Sequence, residues 1–382
     1  MPARRDANVV SVSSVARGDA LFAEGRFADA TIAYEGALKL QPNSGALLAA
    51  LSRMRLYQHR ESEAIELARR ALSIMPDSAL AAQVLRSANA RLSSFGASPP
   101  LIRIANAHVS IPFVLTDPLP VVRVRVRKHD GNFILDTGAP GLALNRSLAV
   151  SLGLPLTAAG EGTFAGGQHA RVERTMIPEL EIGGIGMANV SAVISPAELE
   201  LPGIHMDGVI GTGFLMHFLS TIDYCRGVLV LSPLGSSATF ERRAIASNAN
   251  LVPMWLVGDH FIFARGAINN VEGLFSIDTG LAGGALVATK STIETAGIKI
   301  DQDKPQMGQG GGGVVPFLRF KASASFGRLK RNNLAAVYMP SGDPYGIFPF
   351  KVAGALSHGF FRQSRLTFDF VSMKLITEQC SN

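Results

Sequence analysis

The chain has 382 residues, of which 47% are apolar and 17% charged, with a net charge of +6. That length holds two or three domains and a sizeable core. Basic residues are scattered and form no stripe interleaved with aromatics, which argues against nucleic-acid binding, and no run of about 20 apolar residues offers a membrane helix.

The opening stretch, "MPARRDANVVSVSSVARGD", is basic but lacks the apolar core of a signal peptide. As written, the protein is expected to be soluble and cytoplasmic, and periplasmic or exported if a leader is missing. From there to residue 95 the pattern is Ala-rich and helical. Ala30, Ala37 and Pro42 recur 34 residues later as Ala64, Ala71 and Pro76. Small residues where paired helices touch, with a Pro after the second helix, resemble the tetratricopeptide repeat over roughly residues 14–81. "ALAAQVLRSANARLSS" follows as a capping helix. Two repeats are fewer than the usual three, so this unit is expected to lean on its cap or on the following domain. The resemblance implies an interaction module for a protein partner.

"SFGASPP" at 94–100 breaks the helical pattern, and residues 96–109 are expected to be a linker. The texture then changes. "PVVRVRVRK" alternates apolar and basic residues, the period of a half-buried strand, and short β-like runs with Gly-rich turns continue to the end. This region is duplicated. "FILDTGAP" and "FSIDTGLA" place Asp136 and Asp278 142 residues apart, and Gly213, Thr221 and Asp223 recur 146 residues later as Gly359, Thr367 and Asp369. Each copy carries a Gly-rich stretch between these landmarks, "TFAGGQHARV" and "MGQGGGGVVPF". The expected boundaries are 110–235 for one half, 236–255 for a connection and 256–382 for the other.

An Asp-Thr-Gly triplet after apolar residues, present in both halves, resembles the aspartic proteases of the pepsin and retropepsin type. "GVIGTG" and "GALSHG" look like that family's loops behind the catalytic turn. The resemblance covers about residues 110–377. It implies a multidomain chain with N-terminal helical hairpins and a mostly-β, two-lobed aspartic-protease fold. It implies that Asp136 and Asp278 share one proton and hold a water, because two carboxyls about 3 Å apart cannot both ionise. Thr137 and Thr279 would join the two turns by hydrogen bonds, and Gly138 and Gly280 would keep them free of side chains. Phe164, Gly166 and Gly167, with Gly311 and Gly312 in the second half, fall where the family places its flap over an extended peptide. The expected activity is that of an endopeptidase acting on a peptide or protein substrate, with no metal, no cofactor and a monomeric catalytic unit. Many members carry Ser or Thr after the triplet, whereas this chain has Ala139 and Leu281. A missing donor to the ionised form leaves the pair's pKa values higher, so activity is expected up to weakly acidic or near-neutral pH. Ser357 stands where the first half has Gly211.

Other motifs carry less. "GQGGGG" fits a dinucleotide loop only in spelling, since a strand and not a helix follows it. "ALSHG" resembles a nucleophile elbow, but its place matches "VIGTG", which points to packing. The eight histidines show no HExxH or paired spacing. Asp223 and Asp369 precede turns and read as turn initiators. Cys225 and Cys380 form no CxxC or ligand spacing and are expected as free thiols in a reducing compartment. Two alternatives to proteolysis remain: acid–base chemistry by the same dyad on a non-peptide substrate, and a non-catalytic peptide-binding adaptor.

Overall fold

The computed structural model describes residues 15–96, 101–104, 108–164, 168–196, 198, 200–201, 203–300, 304–310, 313–340 and 342–380. The flap positions Gly166, Gly167, Gly311 and Gly312 lie outside the described residues. The chain divides into two units. The first takes residues 1–99 with two short later segments, Trp255–Gly258 and Phe348–Val352, and the second takes the remainder.

The first unit is helical. A helical stretch at 15–23 is followed by Phe27–Leu40, Gly45–Tyr57, Glu61–Ile74 and Ala79–Gly96. Ser44 and Ser78 end the two turns that contain Pro42 and Pro76. Their hydroxyls accept the amides of Leu47 and Ala81, the N-cap arrangement that satisfies an orphan donor of the next helix. Ala30, Ala37, Ala64 and Ala71 are all buried, so neighbouring helices approach closely where the repeat places small residues. The two later segments complete this unit. Phe350 and Trp255 pack on Phe27 with ring centroids 4.8 and 5.5 Å away, and Phe22 and Tyr57 join the same cluster. Arg91 is buried and spends its guanidinium on backbone. It donates to the carbonyls of Leu56, Leu256 and Gly258 and pairs with Glu61. Truncating a ring in such a cluster costs about 3–5 kcal/mol, so Phe350→Ala is expected to unfold this unit at markedly lower denaturant.

The second unit is β-rich, and its two halves repeat one topology. In the first, Val121–Val126 pairs antiparallel with His129–Leu135. Gly208–Ile210 then lies parallel to Phe133–Leu135 and antiparallel to Leu142–Leu144, which runs parallel to the end of Ile185–Ile194. In the second, Phe261–Ile268 pairs with Val271–Ile277. Gly354–Leu356 lies parallel to Phe275–Ile277 and antiparallel to Leu286–Ala288, which runs parallel to part of Leu329–Tyr338. Residues 133–135 and 275–277 are buried throughout. A strand covered on both faces favours apolar residues, and Ser276 alone interrupts them in these two runs. Each half also has a long hairpin: Thr157–Phe164 with Gln168–Ile182, and Gln306–Gly310 with Gly313–Phe326. Leu101–Ile104, within the expected linker, pairs with Ile185–Ile194.

The halves share a six-stranded antiparallel sheet. Its order is Val109–Leu115, Val228–Ser232, Leu219–Asp223, Ser364–Asp369, Lys374–Gln379, Asn250–Val257. Thr221 sits opposite Thr367 at the centre, their hydroxyls 2.7 Å apart. Cys225 and Cys380 follow two strands of this sheet and form a disulfide, with Cα atoms 5.4 Å apart. This corrects the expectation of free thiols. The pairing joins positions 155 residues apart, which no local spacing reveals. The helix Ser237–Ala246 occupies the expected connection.

Candidate active site

Each Asp-Thr-Gly turn begins where a buried strand ends. The Asp136 amide donates to the Ile210 carbonyl and the Asp278 amide to that of Leu356, both at 3.0 Å, so the parallel neighbour strand aims each aspartate. Within each turn the glycine amide donates to the aspartate Oδ1, Gly138 at 2.8 Å and Gly280 at 2.9 Å.

The turns are joined through their threonines. Thr137 Oγ1 donates to the Ile277 carbonyl at 2.8 Å and accepts the Thr279 amide at 3.1 Å. Thr279 Oγ1 donates to the Leu135 carbonyl at 2.8 Å and accepts the Thr137 amide at 3.0 Å. Both side chains are fully enclosed. Only a hydroxyl can both accept an amide and donate to a carbonyl here, which explains the residue type.

The glycines answer a different need from backbone freedom, since neither has a positive φ. A Cβ on Gly138 would lie 2.7 Å from the Asp278 carboxyl, and one on Gly280 would overlap the Asp136 carboxyl. Each turn therefore makes room for the other turn's acid, and the two carboxyls hydrogen-bond to each other. Burial, then the charge of Asp278, then that hydrogen bond hold the Asp136 carboxyl well above the usual range, while the amides of Gly138 and Ala139 oppose the shift. The rise is in the direction expected from the sequence. Its leading cause is burial, not a missing hydroxyl after the triplet.

Behind the turns the halves diverge. Thr212 Oγ1 donates to the Thr137 carbonyl at 2.8 Å. Its counterpart by the 146-residue offset is His358, which is 2% exposed, with Nδ1 unpartnered among the described residues. Burial pushes this imidazole down to about 4, so it is neutral at ordinary pH. A side chain on Gly211 would run into the Ala139 carbonyl, whereas Ser357 is accommodated and its Oγ accepts the Leu281 amide at 3.3 Å. Ser357 is fully buried in this packing role and is no exposed nucleophile. Asp223 accepts the Arg226 amide, and Asp369 accepts those of Val371 and Ser372, as turn initiators do.

Residues following the triplets line two different walls. Ala139, like Leu115, Ala143, Leu201 and Ile204, packs against the buried cluster of Leu119, Val121, Ile134, Met206 and Val209. Leu281, Phe317, Met339 and Tyr345 each pack against the buried cluster of Val287, Val337 and Ala355. Tyr345 lies within electrostatic reach of Asp278. Burial first, then the charges of Asp278 and Asp343, push its phenol far above the ordinary value. Sequence reasoning missed it, because "SGDPYGIF" reads as a surface turn. Phe164 ends one strand of the first hairpin, paired with Gln168. Among the described residues no group of three or more His, Cys, Asp or Glu could hold a metal. A surface recess lined by Asn248, Asn250, Gly327 and Arg328 contains neither turn. Among the described residues no helix is long and apolar enough to cross a membrane.

Residues 122–214 match a family model described as aspartyl protease. Among solved structures, a retropepsin-like aspartic protease from Rickettsia conorii matches with 18% identity and a TM-score of 0.26, covering 35% of this chain and 90% of that one. No curated protein matches. The family match spans the Asp136 turn and the strands that hold it, and this similarity supports aspartic protease activity in general.

Proposed function

We propose that the chain is a bilobal aspartic endopeptidase in which Asp136 and Asp278, one from each lobe, activate a single water. The observation that carries this reading is the reciprocal threonine lattice, which presses two carboxyls together in a half-buried site. Holding two acids there is unfavourable unless they share a proton, and that sharing supplies an acid and a base at one place and one pH. Asp136 holds the proton in the resting pair. Asp278 takes a proton from water as the water oxygen bonds to the scissile carbonyl carbon, and Asp136 protonates the carbonyl oxygen. The tetrahedral species then collapses, the C–N bond breaks, and the leaving nitrogen takes a proton from the pair.

The two long hairpins act as flaps that close over an extended peptide and pair with its main chain. The helical unit is a tetratricopeptide-like recruiter of substrate or partner. Deleting it would strip Trp255 and Phe350 of their packing, so recruitment is better tested by charge reversal on its exposed helix faces. Unchanged cleavage of the natural substrate would then argue against recruitment. The Cys225–Cys380 bridge favours an oxidising compartment over the cytoplasm. Free thiols in the denatured, unreduced protein would count against that compartment.

The test of the central reading is cleavage of a diverse peptide library from pH 3 to 8 by wild type, Asp136→Asn and Asp278→Asn. Cuts made by wild type and lost in both variants support the shared dyad. Equal cutting by all three proteins would end it, and no cutting by folded wild type would favour a non-peptide substrate or a peptide-binding adaptor.

A further inference from the structure

The two Asp-Thr-Gly turns are followed by loops of different length. Leu142–Leu144 and Leu286–Ala288 hold equivalent places, with Leu142 opposite Ile210 and Leu286 opposite Leu356. Residues 139–141 lead from the first triplet to its strand, whereas residues 281–285 lead from the second, so the second loop is longer. The short loop is held by backbone. The Ala139 amide donates to the Asp136 carbonyl at 3.1 Å, and the amides of Gly211, Thr212 and Gly213 bond the carbonyls of Gly141, Ala139 and Pro140. The long loop is held in another way. The Ser357 amide donates to the Ala285 carbonyl at 2.9 Å, and Arg319 reaches the Gly283 carbonyl. The Leu281 amide, counterpart of that of Ala139, donates to Ser357 Oγ at 3.3 Å. Ser357 is fully buried and follows Leu356, whose carbonyl accepts the Asp278 amide at 3.0 Å. Two consecutive residues therefore grip the Asp278 turn at its start and just past its end. The first half has no room for such a grip, because a Cβ on Gly211 would lie 2.4 Å from the Ala139 carbonyl oxygen.

We propose that Ser357 is a positioning residue for the acid pair: by holding the Leu281 amide it fixes the longer loop, and so keeps the Asp278 carboxyl against that of Asp136. This rests on the proteolytic reading above and deepens it. A longer loop has more conformations to lose, and a small displacement of a reacting group is costly in rate. The distance between the acids also sets their titration. Two carboxyls share a proton only at close range, and when they part the last proton leaves more readily. The pH at which activity ends on the alkaline side therefore reads how closely Asp278 is held. The other ionisable groups within reach of this turn are Tyr345, Asp343, Arg319 and His358. Burial keeps the Tyr345 phenol protonated and His358 neutral above about pH 4, so neither changes charge on that limb.

The experiment compares full-length wild type, Ser357→Ala and Ser357→Gly on one cleaved peptide from pH 3 to 8, with Asp136→Asn as the inactive blank. Ser364→Ala is the control for losing a buried hydroxyl. Ser364 is also fully enclosed, but its hydroxyl donates to the Phe361 carbonyl and not to either turn. In both Ser357 variants kcat should fall about tenfold or more, with KM within about twofold. Their alkaline limb should move to lower pH by about half a unit or more. Ser364→Ala should unfold at lower denaturant with its limb unmoved. Folded Ser357 variants with wild-type kcat and limb would overturn this inference and leave the protease reading standing. Failure of both to fold would overturn it too, since Ser357 would then belong to the framework. Absence of Asp136-dependent cutting by wild type would overturn both readings.

Discussion

The two halves of the β unit agree wherever the backbone must be held and differ wherever a side chain is free to vary. Asp, Thr and Gly occupy equivalent places in both turns and make equivalent bonds. One residue further on, Ala139 faces Leu281. Behind the turns, Thr212 faces His358 and Gly211 faces Ser357. Only the second half contributes segments, Trp255–Gly258 and Phe348–Val352, to the helical unit. Duplication supplies a symmetric frame. Chemistry that requires two identical acids at one point keeps that frame unchanged, while pockets and contacts diverge around it.

The hardest test of this comparison is the acids themselves. Asp136→Asn and Asp278→Asn should each lower kcat by at least about a thousandfold, since removing a central catalytic group costs on that order. The two losses should be equal within about tenfold, because the pair acts as one catalyst. Activity surviving in either variant would show that the halves are not partners in a single site.

The threonines come next. Thr137→Val and Thr279→Val each remove a donor to a carbonyl and an acceptor for an amide in a closed interface. Each unsatisfied buried group costs about 1–3 kcal/mol, so each variant should lose about 2–4 kcal/mol in denaturant unfolding. The symmetric lattice requires matching losses. A tolerant Thr279 beside a sensitive Thr137 would locate the strain in one half.

A smaller effect separates the halves by pH. His358 is pushed down to about 4 by burial, below the ordinary value of about 6.5. The unfolded chain takes up this proton first. The associated stability is present above about pH 6.5 and is lost as pH falls towards 4, with a slope approaching 1.4 kcal/mol per pH unit. His358→Thr installs the first half's side chain and should flatten this limb. Asp136 acts in the opposite direction. Its raised value means stability that is full below the ordinary Asp range and is lost as pH rises through the folded value. Asp136→Asn should remove that loss. Unfolding midpoints of wild type and both variants from pH 3 to 8 separate the two contributions.

Much of the organisation could be read in advance because it rests on periodicity and on composition. The 34-residue spacing of Ala30, Ala37 and Pro42 with their repeats marked a helical region, since close helix contacts need small residues at fixed intervals. The runs before Asp136 and Asp278, apolar except for Ser276, marked buried strands. The offset of 146 residues paired Thr221 with Thr367, which the shared sheet places opposite each other. The reason for Gly138 and Gly280 was harder to see, because the atoms they avoid belong to the other half of the chain. The hairpin glycines Gly166, Gly167, Gly311 and Gly312 lie outside the described residues, and their role stays with the proposed flaps.

By itself the sequence determined that the chain has a helical part and a duplicated β part, and that two acids stand at equivalent strand ends. Local pattern suffices there, because strand and helix periods are properties of short segments. Only the tertiary structure decided that Cys225 meets Cys380 and that Phe350 and Trp255 belong with the helices. Those facts depend on which distant surfaces are brought into contact, and contact between residues more than a hundred positions apart leaves no period in the chain.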